Sequence, residues 1–200
     1  MAYPTVFFII AIVLIAWLFL KSSKLSNALV KLYFVFSFGL SGPLFFMVFY
    51  SKSSGLVESY FMGSLFAVVA ILFAVDIFRQ KIVFHLVQAN WQRWVTLILT
   101  LLVFCYPLFS IALGHYFPRI LFPGTLPCPT TTIALVLLTT ALPRVDKIIY
   151  FILLFFSILS AAFFDIPKYG VYEDGIMLGI GIYSLVMLVT HWRDKPTLSN

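Results

Sequence analysis

Four kinds of reactive side chain sit among prolines in the run Gly114 to Thr132, GHYFPRILFPGTLPCPTTT: His115, Arg119, Cys128 and the triplet Thr130, Thr131 and Thr132. An imidazole titrates near neutrality and ligates metals, and a guanidinium grips oxyanions through its planar fork. A thiolate is both a nucleophile and a soft ligand. Pro129 fits the first turn of a helix, and the threonine hydroxyls would then stand beside unpaired backbone N–H groups. A helix start in a low-dielectric site receives anions, and His115 and Arg119 would add positive charge. The competing reading is that the threonines cap the helix and Arg119 meets lipid phosphate. A second run, FDIPKYGVYEDGI, carries Asp165, Lys168, Glu173 and Asp174. Asp165 and Lys168 read as the solvated edge of a span. Glu173 and Asp174 precede a helix, where they would favour its dipole, pair with Arg119, or handle protons or cations. His115, Cys128 and the Glu173/Asp174 pair would also suit a borderline metal ion. Their spacing matches no ligand pattern, so no metal site and no cofactor is assigned.

The elements that position these groups must lie in a bilayer. Of 200 residues, 62% are hydrophobic and 10% charged, against about a quarter charged in ordinary soluble domains. The mean hydropathy is +1.08. The 13 basic residues behind the net charge of +6 are scattered between apolar runs, so they build no nucleic-acid-binding face. The predicted fold is all-α, a single integral membrane domain of seven spans near 3–20, 29–50, 56–78, 94–114, 129–143, 148–164 and 175–192. With alternating spans, Lys21, Lys24, Lys31, Arg79, Lys81, Arg93, Arg144, Lys147, Arg193 and Lys195 share one side, and only Lys52, Arg119 and Lys168 the other. That bias puts the amino terminus outside and the carboxyl terminus in the cytoplasm. The first span reads as a retained anchor, because no Lys or Arg precedes it and Lys21 and Lys24 follow.

Several local expectations follow. Lys31 snorkels at the start of the second span, which breaks at Ser41-Gly42-Pro43. Residues 82–94 form an interfacial, amphipathic stretch flanked by Trp91 and Trp94. Tyr106-Pro107 kinks the fourth span. Gly175 and Gly179 allow close helix approach. Cys105 and Cys128 are free thiols. Pro118, Pro123, Pro127 and Pro129 forbid a regular helix through most of 114–129, yet the residues between them are apolar. Such backbone is tolerated at membrane depth only against protein or a water cavity, so the loop either dips into the bundle or packs as a greasy rim. The fifth helix, Thr130 to Leu142, is then 13 residues, about 20 Å. A short, proline-interrupted segment is a pointer to a transporter site.

The run CYPLFSIALGHYFPRILFPGTLPCPTTTIALVLL resembles a family of small bacterial membrane proteins known only as a domain of unknown function. Its motifs are a Tyr-Pro, then Gly-His-x-Tyr-Pro, then Pro-Cys-Pro-Thr-Thr. They fall on Tyr106-Pro107, on Gly114-His115 with Phe117-Pro118, and on Pro127 to Thr131, with Phe117 in place of the family's tyrosine. A later pattern, Pro-Glu-Asp-x-Gly, is matched loosely by Tyr172 to Gly175. The resemblance covers about residues 40–190 and implies a multi-pass protein of the bacterial inner membrane, without implying an activity. Three functions fit these residues. The first is a small permease or channel for a small anion or other solute, its site made by His115, Arg119, Cys128, Thr130, Thr131, Thr132, Glu173 and Asp174 and open to the extracytoplasmic side. The second is a non-catalytic membrane subunit or assembly factor, acting as a homo-oligomer or with a membrane partner. The third is a membrane-embedded enzyme or redox component with His115 as acid–base and Cys128 as nucleophile or ligand. No Walker or nucleophile-elbow motif is present, and the last span has no lysine for a retinal Schiff base.

Overall fold

A computed structural model of the chain describes residues 2–51, 56–87, 89–115 and 120–192. Apolar runs become its long helices, and prolines fall at their starts or bends. Helix α1 is Ala2–Leu20, with Pro4 in its first turn, where a missing N–H costs nothing. Helix α2, Lys24–Leu40, begins on a capping box between Ser23 and Ser26. The expected break at Ser41-Gly42-Pro43 takes the form of a π-helix, Ser41–Tyr50, whose wider turn absorbs the proline. Lys24–Val48 is one stretch long and apolar enough to cross a membrane. Helix α3 is Leu56–Arg79. Helices α4, Asn90–Phe104, and α5, Tyr106–Ala112, meet at 49° across Cys105, which is the kink expected at Tyr106-Pro107. Helix α6 is Pro127–Thr140 and α7 is Lys147–Leu159. A π-helical stretch, Ser160–Asp165, carries α7 on into α8, Ile166–Tyr169. Gly170 then reverses the chain at φ +68°. A 3₁₀ turn, Tyr172–Asp174, opens α9, Gly175–Thr190.

The fold is all-α, and among the described residues the β-type pairing is one bridge, Pro123 to Leu126. Five helical stretches are long and apolar enough to cross a membrane: Tyr3–Leu20, Lys24–Val48, Leu56–Arg79, Lys147–Tyr169 and Tyr172–Thr190. The bent α4–α5 pair makes a sixth if taken as one span. Helix α6 has 14 residues, about 21 Å, which is shorter than the hydrocarbon core of about 30 Å. It is also the axis of the bundle. All its residues except Cys128 are buried, with α9, α4, α7 and α2 packed around it. Near its end, Thr139 and Thr140 stay inside by donating to their own helix, to Val136 O at 2.7 Å and to Leu137 O at 2.6 Å.

The end of the bundle away from the candidate residues is held by polar contacts. Phe84 N donates to Asn27 Oδ1 at 2.6 Å, and Asn27 Nδ2 donates back to Phe84 O at 3.1 Å. Lys31 does not snorkel. Its Nζ lies 2.7 Å from Asp76 Oδ2, with both side chains buried, because α3 brings a carboxylate to meet it. Residues 82–85 are not helical, and their burial alternates, with Ile82 and Phe84 buried and Val83 and His85 exposed. The interfacial stretch thus gives way to α4 at Asn90, before the fourth span was expected to begin. Gly175 and Gly179 face open space, whereas a Cβ on Gly181 would lie 2.6 Å from Ser157 Oγ. Close approach between α7 and α9 occurs at Gly181, so the Gly175/Gly179 expectation is corrected.

Candidate functional site

At the opposite end, the loop before α6 packs inward over its described part. Phe122 stacks edge-on with Phe8, centroids 5.8 Å apart, and Pro123 and Gly124 are buried. Gly124, at φ +94°, lies against Tyr33, leaving no room for a Cβ. Thr130 pins this turn. Its Oγ1 accepts from Gly124 N at 2.8 Å and donates to Leu126 O at 2.6 Å.

The start of α6 is not the anion receptor that the sequence suggests. The helix begins at Pro127, not Pro129, so the threonines lie past its first turn. Pro127 and Pro129 have no N–H to offer. Leu126 N donates to Phe122 O and Thr130 N to Leu126 O, each at 3.4 Å. Of the donors a helix start exposes, the Cys128 N–H alone is left. Thr132 Oγ1 donates to Cys128 O at 2.7 Å, while Thr131 Oγ1 is buried without a partner among the described residues. Arg119 lies outside the described residues.

What gathers here is acidic. Two short reversals, α5 into the loop and α8 into the 3₁₀ turn, set His115 beside Glu173, with Nδ1 2.8 Å from Oε1. Ser110 Oγ, on α5, donates to the same Oε1 at 2.8 Å and accepts from Leu121 N at 3.3 Å. The Glu173 side chain is fully buried, and among the described residues its Oε2 has no partner. Next to it, Tyr106 Oη donates to Asp174 Oδ1 at 3.4 Å and lies 3.5 Å from Thr132 Oγ1. Ser160 Oγ donates to Asp165 Oδ2 at 2.6 Å. One ligand atom each from Cys128, Asp165 and Asp174 fall within 4.8 Å of one another. Among the described residues, no Lys, Arg or His pairs with Asp165 or Asp174.

Two adjoining cavities border these groups. One, of about 400 Å³, is lined by His115, Cys128 and Glu173 among apolar side chains. The other, of about 170 Å³, is lined by Cys128, Ser160, Asp165 and Asp174. Phe45, Leu121, Pro127, Cys128, Tyr169 and Val171 belong to both walls. The sequence-derived candidates therefore divide. His115, Cys128, Glu173 and Asp174 converge on the cavities, whereas Thr130 and Thr132 are engaged in local hydrogen bonds.

A family of unknown function, DUF6064, matches residues 2–198, nearly the whole chain. The chain belongs to that family. No curated protein and no solved structure matches it.

In this family member, sequence reasoning missed Asp165 as a cavity residue and Ser110 and Ser160 as groups that orient carboxylates. A signal for Ser110 existed, since it stands four residues after Tyr106 and on the same helical face. Asp165 carried none, because its direction depends on the π-helical turn before it.

Proposed function

We propose that this chain is a small permease or channel of the bacterial inner membrane, with its site in the paired cavities. The observation that carries this reading is Glu173, which borders the 400 Å³ cavity with its carboxylate buried and, among the described residues, Oε2 unpartnered. An ionisable group at membrane depth is costly and marks solute or ion pathways. The segments around it are interrupted, by the 49° bend of α4–α5 and the two π-helical stretches, and α6 is short. Interrupted helices around a polar hollow are a transporter's way of building a site. The excess of carboxylates there favours a cation over the anion that the sequence suggested. Seven crossings, with the amino terminus outside, would put the cavities on the extracytoplasmic side. The bias of Lys and Arg toward the opposite end supports that placement.

The catalytic reading asks for His115 to activate Cys128. His115 instead contacts Glu173 at 2.8 Å, and the thiol groups with two carboxylates, so catalysis is the weaker reading. Purified protein in liposomes loaded with a pH dye or a divalent-cation dye tests the proposal. Cation or proton entry is expected, and Glu173→Gln and His115→Ala should reduce it tenfold or more. Absence of flux, or flux in both variants equal to that of the unaltered protein, would overturn the reading.

A further inference from the structure

The smaller cavity holds a donor set that bulk acidity does not explain. Cys128 comes from the first turn of α6, Asp165 from the end of a π-helical stretch, and Asp174 from the 3₁₀ turn before α9. Three separate elements thus bring one sulfur and two oxygens within 4.8 Å of one another. Atoms around an ion at about 2.0–2.3 Å need to contract only modestly from that spread. Each carboxylate accepts from a hydroxyl, Asp165 from Ser160 at 2.6 Å and Asp174 from Tyr106 at 3.4 Å. Such outer contacts hold metal ligands in place. A second observation comes from the neighbouring cavity, whose wall Cys128 and Glu173 share. The Glu173 side chain is fully buried there, and among the described residues its Oε2 is unpartnered.

We infer that Cys128, Asp165 and Asp174 bind a divalent transition-metal ion of the zinc class. Calcium and magnesium choose oxygen and avoid sulfur. One thiolate with two carboxylates matches zinc, and cobalt as its spectroscopic substitute. Three protein ligands would leave a fourth coordination position for an exchangeable ligand. Binding expels the thiol proton. That the ion is the transported solute rests on the permease reading, whereas the binding itself does not.

Titration of the purified full chain with Co²⁺ is the experiment, read by the near-ultraviolet thiolate-to-cobalt band. Saturation at one ion per chain is expected, with competition by Zn²⁺ and none by Mg²⁺. Cys128→Ser should abolish the band, Asp165→Asn and Asp174→Asn should weaken binding tenfold or more, and Cys105→Ser should leave it intact. A measurement on the unaltered protein guards against misfolded variants. Zn²⁺ should slow maleimide labelling of Cys128, read by peptide mapping, with Cys105 as the internal control. No band at saturating Co²⁺, a band that survives Cys128→Ser, or unprotected Cys128 would overturn the inference, and the two carboxyls would then hold only a shared proton. Metal binding without flux in liposomes would keep the site and remove the permease. Proton flux without metal binding would do the reverse.

Discussion

Removing the ammonium of Lys31 should strand a charge in the bundle. The Lys31 and Asp76 side chains are 2% and 5% exposed, and their charged atoms lie 2.7 Å apart. Asp76 also accepts from Lys81 N and Ile82 N, each at 3.2 Å, so its carboxylate cannot turn away without freeing two backbone donors. Lys31→Met keeps the stem and leaves that carboxylate uncompensated, at a cost of about 3–5 kcal/mol. In Lys31→Met/Asp76→Asn the charge is gone while a side-chain oxygen still meets the backbone, so the loss should fall to about 1–2 kcal/mol. Unfolding in mixed micelles with rising sodium dodecyl sulfate, followed by far-ultraviolet circular dichroism, gives both values. A single variant that loses under about 1 kcal/mol, or a double variant no better than the single, would refute the reasoning.

Two further variants test packing by the same assay. Gly181→Ala drives a Cβ to 2.6 Å from Ser157 Oγ and should cost about 1–3 kcal/mol, whereas Gly179→Ala meets nothing within 4 Å and should be neutral or slightly stabilising. Thr130→Val leaves the buried Gly124 N–H without its acceptor and should cost about 1–3 kcal/mol, with Thr130→Ser recovering most of it.

The helical bundle was legible because hydropathy and helix length are local properties, and prolines mark where helices start or bend. Some residues of the candidate site were legible as well. His115 and Glu173 stood out as isolated polar groups in apolar sequence, although nothing local says that residues 58 apart touch. What escaped depended on distant partners or on phase. Lys31 reads as a snorkelling cation until Asp76, 45 residues on, is seen beside it. The threonine triplet reads as a helix start, yet Pro127 takes the first position and moves the threonines beyond the exposed donors. Glycine spacing suggested Gly175 and Gly179, but the neighbouring helix lies on the face of Gly181.

Asp165 and Ser160 reach the smaller cavity from one π-helical stretch, and Phe45 and Phe46 reach it from the other. A wide turn of this kind amounts to one residue inserted into an α-helix. Each residue of an α-helix advances the side chains by about 100°, so deleting one residue from 160–165 would swing the chain beyond it, carrying Asp165 off the cavity wall. The acidic lining therefore depends on a count of residues as well as on their identity. Composition would be almost unaltered by that deletion, while the pocket would lose one of its three converging donors.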